Sequence, residues 1–90
     1  MLMIEKSQQG YLLTPIQCKM ARVAVGWGVR DLAAKSNMST NTVARFERGD
    51  DLKASTVAAI RAALEAAGVE FIAENGGGAG VRLKRREPNG

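Results

Sequence analysis

Thr40, Asn41 and Arg45 are the side chains of this chain best placed to act on another molecule. Threonine and asparagine carry both donors and acceptors, and arginine carries a planar fork of donors. All three fall within Ser39-Thr40-Asn41-Thr42-Val43-Ala44-Arg45-Phe46-Glu47-Arg48-Gly49, a stretch with the marks of a short helix. Ser39 is a suitable N-cap, its hydroxyl accepting from an otherwise unpaired amide of the first turn, and Gly49 is a suitable stop. Val43 and Phe46, three residues apart, share one side, whereas Thr40, Asn41 and Arg45 lie on another. Such a helix turns hydrogen-bonding groups outward, as a reader of base edges must.

The composition narrows the chemistry. The 90 residues amount to one small domain, which must bury much of its apolar surface or pair with a second copy. Hydrophobic residues make up 46% but aromatics only 4%, so the core has to come from Ala, Val, Leu, Ile and Met, which favours helices. A net charge of +4 suits a polyanionic partner without requiring one. With no histidine and one cysteine, Cys18, the chain offers no structural zinc set, no internal disulfide and no Cys-His nucleophile pair. Cys18 reads as a small, partly buried side chain in a helix. The run Met1-Leu2-Met3-Ile4, followed by Glu5 and Lys6, is too short for a signal or membrane segment, so a cytoplasmic protein is expected.

Four helices and two strands are expected to position the polar stretch. Residues 1–13 read as a loosely held arm in which Tyr11, Leu12 and Leu13 can pack onto the body. Thr14 as N-cap and Pro15 at the first helical position start a helix, with Ile16, Met20, Val23 and Ala24 as its apolar face and Gly26 as its stop. Gly28 opens a second helix over 29–35, with Asp31 in the first turn and Leu32 and Ala33 inward. Ser36-Asn37 is a turn, Asn37 being suited to left-handed backbone angles, and Met38 is expected to plug the core. After the helix of Ser39 to Arg48, Ser55 caps a fourth helix to about Ala67, burying Val57, Ile60, Ala63 and Leu64, with Arg61 and Glu65 as an i,i+4 pair. Gly68 stops it. Val69-Glu70-Phe71-Ile72 and Val81-Arg82-Leu83-Lys84 read as short strands, either a hairpin or paired with a second chain, and residues 69–84 are a candidate dimerisation element. Residues 85–90 form a flexible tail. The expected fold is thus mainly α, with the helical domain over 14–68.

The segment Arg22 to Gly49, and more loosely Thr14 to Ala67, resembles the Cro/CI-type (XRE-like) helix-turn-helix of bacterial and phage transcriptional regulators. The matching residues are Ala21-Arg22, Gly26-Trp27, Asp31-Leu32-Ala33, Met38-Ser39, Thr42-Val43, Arg45-Phe46-Glu47 and Gly49. The glycine-rich end after Gly68-Val69-Glu70-Phe71-Ile72 is similar to an extension of small stand-alone members. The resemblance implies a four-helix bundle whose third helix enters the major groove, with dimers reading half-sites about 34 Å apart. It also implies that Thr40, Asn41 and Arg45 touch bases: Arg suits guanine O6 and N7, Asn suits adenine N6 and N7, and Thr suits a hydrogen bond or a thymine methyl. Arg22 and Glu47 match a family pair that forms an internal salt bridge between the first and third helices.

One position departs from that pattern. Where many members open the second helix with Ser-Gln, this chain has Gly28-Val29, and valine can neither bond a phosphate nor brace the reading helix. Phosphate contacts then fall to backbone amides and to Arg30, Thr42, Arg48 and Lys53, each of which also reads as ordinary solvated polarity. Arg82, Lys84, Arg85 and Arg86 either reach DNA or keep the tail soluble. Gly76-Gly77-Gly78-Ala79-Gly80 is a hairpin loop rather than a phosphate cradle, because no Lys-Ser or Lys-Thr follows and no helix begins there. The expected function is a sequence-specific, dimeric DNA-binding regulator, a repressor, acting on double-stranded DNA without cofactor or metal. The alternative is a helix-turn-helix module that binds another protein, as an antitoxin or antiactivator does. An enzyme is disfavoured, since Asp31, Glu47, Asp50 and Asp51 have capping, bridging or loop roles and no nucleophile accompanies them.

Overall fold

Thr14 and Gln17 bond each other at the start of the first helix: Thr14 Oγ1 accepts from the Gln17 amide at 3.1 Å, and Gln17 Oε1 accepts from the Thr14 amide at 3.0 Å. This reciprocal cap satisfies two amides that have no partner inside the helix, and Pro15 follows where its missing N–H costs nothing. The computed structural model describes residues 13–73 and 76–84. Helix α1 spans Pro15–Ala24, α2 Val29–Ser36, α3 Thr40–Glu47 and α4 Ala54–Ala66, and strands β1 (Val69–Ile72) and β2 (Gly80–Leu83) follow. The described chain is therefore a compact, mainly helical globule of four helices followed by a two-stranded antiparallel sheet.

The helix ends follow local chemistry. After α1, the amides of Gly26 and Trp27 donate to the carbonyls of Val23 and Arg22 at 3.0 and 2.9 Å. Gly26 takes φ 77°, which closes the helix with left-handed backbone. After α2, Asn37 plays that part at φ 60°, and the Met38 amide reaches the Ala33 carbonyl at 2.9 Å. Asp31 Oδ2 accepts from the Gly28 amide at 2.7 Å, placing a carboxylate at the positive end of α2.

The core gathers Leu32 and Ala33 from α2, Val43 and Phe46 from α3, Val57, Ile60 and Leu64 from α4, Cys18 and Ala21 from α1, together with Leu13 and Val69. Helix α2 packs on both α3 and α4; β1 leans on α4, and β2 on α1. The strands pair with each other within the chain as an antiparallel hairpin, Val69 opposite Leu83 and Ile72 opposite Gly80. Strand β2 starts at Gly80, one residue before the expected Val81. Leu13, expected as able to pack onto the body, is part of the core; residues 1–12 of the arm and 85–90 of the tail lie outside the described residues. Among the described residues no helix is long and apolar enough to cross a membrane.

Two expectations are corrected. The apolar face of α1 was expected at Ile16, Met20, Val23 and Ala24, yet the first three are 59%, 38% and 62% exposed and Ala24 is exposed too. The buried side is instead Gln17, Cys18 and Ala21. The inward face is chosen by polar satisfaction and close approach rather than by side-chain size: the Gln17 amide donates to the carbonyls of Ile72 and Gly80 at 3.2 and 3.0 Å, tying the loop end of the hairpin to α1. Ser55 does not cap α4. Lys53 is the N-cap residue, with extended backbone at φ −62° and ψ 146°, and its carbonyl accepts from Thr56 and Val57 at 3.0 and 3.1 Å.

Gln17→Ala is expected to destabilise the fold by about 1–3 kcal/mol, because it deprives two carbonyls and one capping amide of their partner. Ile16→Ala, one residue away but exposed, is expected to change stability by no more than about 0.5 kcal/mol. Urea unfolding of the two variants checks the pair, and an equal effect would contradict the assigned faces.

Candidate nucleic-acid interface

Ser39 Oγ accepts from the Thr42 amide at 3.0 Å and lies 2.9 Å from Thr42 Oγ1, so the start of α3 is capped and its first turn is braced. Val43 and Phe46 insert into the core at 0% and 3% exposure, which fixes the roll of the helix about its axis. At the far end the Gly49 amide donates to the Phe46 carbonyl at 2.9 Å and the Asp50 amide to the Arg45 carbonyl at 3.0 Å. Gly49 adopts φ 102°, a conformation that disfavours side chains. Both ends and the buried side of α3 are thus held.

A buried ion pair supplies the fourth hold. Arg22 of α1 donates to Glu47 of α3 through both arms, Nε to Oε2 at 2.8 Å and Nη2 to Oε1 at 2.9 Å, with side-chain exposures of 12% and 9%. Arg22 Nη1 also donates to the Trp27 carbonyl at 3.1 Å, so one guanidinium joins α1, α3 and the link before α2. The hydrogen bonds it donates to Glu47 hold the guanidinium above its ordinary pKa. Cys18 Sγ donates to Glu47 Oε2 at 3.3 Å. Burial first, and the Glu47 charge second, push that thiol far above its usual range, so it remains a protonated donor and not a nucleophile. The bridge anticipated from the resemblance is present, and Cys18 is buried within it rather than only partly covered.

Held in this way, α3 leaves one face outward. Thr40 and Asn41 are exposed, and their side chains make no hydrogen bond to another described residue. Arg45 stands at 42% side-chain exposure one turn further on, with Nε 3.3 Å from Asp50 Oδ2. The three candidate base-reading residues therefore occupy a single helix, with their polar groups turned away from the core.

The four candidate phosphate contacts are more scattered. Arg48 is exposed and its Nη2 lies 3.8 Å from Asp50 Oδ2; Arg30, in the first turn of α2, and Lys53, before α4, are exposed as well. Thr42 is half-buried and its hydroxyl is engaged with Ser39, though a hydroxyl has capacity for a further bond. Val29 is half-buried against the core. Among the tail cations, Arg82 is paired across the hairpin with Glu70 at 3.1 Å and Lys84 is exposed.

Asp50 was expected only as a loop residue. Its position is set by the α3 stop: Gly49, just past the C-cap residue Arg48, returns the next residue toward the last turn, and an aspartate there meets an arginine five residues back. Compared with models of known protein families the chain matches none, and no curated protein matches it.

Proposed function

We propose that this protein is a sequence-specific DNA-binding transcriptional regulator of the Cro/CI-like helix-turn-helix class, a repressor that lays α3 in the major groove of double-stranded DNA. The observation that carries the reading is the contrast between the two sides of α3. One side is fixed by Val43, Phe46 and the Arg22–Glu47 bridge, and the other leaves Thr40, Asn41 and Arg45 facing solvent. The major groove is about 12 Å wide, enough for one helix, and displays an unambiguous donor and acceptor pattern. Helices α2 and α3, separated by residues 37–39, supply the two-helix unit that such docking uses. Arg30, Arg48 and Lys53 would then neutralise phosphates, in place of the side chain that Val29 cannot supply.

Binding as a homodimer follows from the same reading, since two copies address two half-sites about one helical turn apart. With the hairpin strands already paired inside the chain, an interface through residues 69–84 would use the outer face or edge of that hairpin.

Selection from a random duplex pool, repeated at two salt concentrations, tests the proposal. The expected result is an enriched, two-fold repeated sequence whose affinity falls with salt by a slope of about 0.9 for each phosphate neutralised. If no sequence is enriched while another protein is bound through the α3 face, the chain is a protein-interaction module of the antitoxin or antiactivator kind.

A further inference from the structure

We propose that Asp50 is a specificity-determining positioning residue, which aims Arg45 at a base and restrains Arg48 from indiscriminate attraction to the DNA backbone; this inference rests on the DNA-reading function proposed above. Asp50 and Arg45 are joined at two points. The Asp50 amide donates to the Arg45 carbonyl at 3.0 Å, and Arg45 Nε faces Asp50 Oδ2 at 3.3 Å. The first link belongs to the glycine-terminated end of α3 and fixes the aspartate backbone, so the second link is made by a carboxylate that is already in place. The same Oδ2 lies 3.8 Å from Arg48 Nη2.

The geometry has two consequences for a helix in the groove. An arginine contacts guanine through two parallel N–H groups, and with Nε occupied by Asp50 the pair left is the terminal one, Nη1 and Nη2. A guanidinium contacted at its inner nitrogen is biased against swinging to a neighbouring phosphate. The carboxylate also subtracts one charge from a cluster of two arginines beside the reading helix, which weakens the sequence-independent part of binding and leaves the base-dependent part. Stability does not account for the contact, because the side chains of Arg45 and Asp50 are 42% and 44% exposed and an ion pair so open to water contributes little to folding.

The test uses the duplex selected by the full-length protein, with each base pair varied in turn, and compares wild type, Asp50→Asn, Arg45→Ala and the double variant. Asp50→Asn is expected to lose about five- to tenfold of discrimination, part of what one bidentate contact supplies, at the base pair where Arg45→Ala also loses it and at no other. It is also expected to bind an unselected duplex about threefold or more tightly, with a steeper salt dependence. The double variant should discriminate no worse than Arg45→Ala alone, and the melting temperature of Asp50→Asn should match wild type. Full discrimination by Asp50→Asn at the Arg45-dependent base pair, or an even loss at all base pairs, overturns the proposal. A wild type that prefers no sequence overturns the DNA-reading function itself, and the role of Asp50 with it; that outcome appears before any variant is compared.

Discussion

Glu47→Ala is expected to destabilise the protein by about 3–5 kcal/mol, the usual consequence of removing one partner from a buried ion pair. In a domain of this size each kcal/mol lowers the melting temperature by about 4–8 °C, so the variant should be largely unfolded under conditions where the wild type is intact. The cause is not the lost attraction alone. Arg22 would keep its bond to the Trp27 carbonyl but would hold a nearly buried positive charge without a counter-ion, and Cys18 would lose the acceptor of its thiol proton. Replacing both partners with apolar residues, Arg22→Met with Glu47→Leu, should therefore cost less than the sum of the single changes. Arg22 itself introduces no dependence on pH in the working range: its pKa is raised in the folded state, so its contribution is fully present below the ordinary arginine value and is lost only as pH rises through the folded one. Urea unfolding of the four proteins measures these effects. A loss under about 1 kcal/mol for Glu47→Ala would mean that the pair behaves as an exposed one.

The second large effect falls on recognition. Arg45→Ala and Asn41→Ala should each remove roughly 1–3 kcal/mol of discrimination at a single base pair, about five- to 150-fold in relative affinity. Neither should alter stability by more than about 0.5 kcal/mol, because both side chains stand outside the core and the ion pair of Arg45 with Asp50 is open to water. By contrast Arg48→Ala and Lys53→Ala should weaken binding to all sequences alike and lower the salt slope by about 0.9 each. Titration of the selected duplex and its single-base variants distinguishes the two patterns. The stability measurements and these titrations also separate two ways of losing DNA binding: Glu47→Ala loses it by unfolding the domain, and Arg45→Ala by removing a proposed base contact from a folded one.

Much of the fold could be read from residues whose effects are local. Thr14 with Pro15, Ser39, Asn37, and the glycines at 26, 49 and 68 each act on the backbone within one turn, and each lies where a helix starts or stops. The roll of α3 was legible for the same reason, since Val43 and Phe46 are its large apolar residues and only one side can hold both. Helix α1 was misread because it carries two apolar faces. Ile16, Met20 and Val23 form the larger, and Cys18, Ala21 and Val25 the smaller; periodicity reports that a face exists but not what stands against it. The smaller face is inward because Gln17 beside it can satisfy hairpin carbonyls more than fifty residues away, a demand that is invisible along the chain. At the start of α4, serine is the better capping side chain, but the chain becomes extended two residues earlier, at Lys53, and the helix begins there without a side-chain cap. The contact of Asp50 with Arg45 is not legible along the chain, because it depends on where Gly49 sends the backbone.

Of the candidate site, Thr40, Asn41, Arg45 and the Arg22–Glu47 bridge are legible in the sequence by resemblance, and the bridge is a pair of contacts in the structure. The candidate phosphate contacts are the least legible, since a solvated arginine on a surface has the same sequence signature whether or not a phosphate meets it. Their roles depend on the relative placing of α2, α3 and the loop before α4, which no local pattern encodes.

The central claim, that α3 reads bases in the major groove through Arg45, is tested most directly by methylation interference on the duplex the protein selects. Methylation at guanine N7 obstructs the major groove, and methylation at adenine N3 obstructs the minor groove. Each bound half-site is expected to hold at least one guanine whose N7 methylation abolishes binding by the wild type and makes no difference to Arg45→Ala. Interference confined to adenine N3, or guanine interference that persists unchanged in Arg45→Ala, would contradict it.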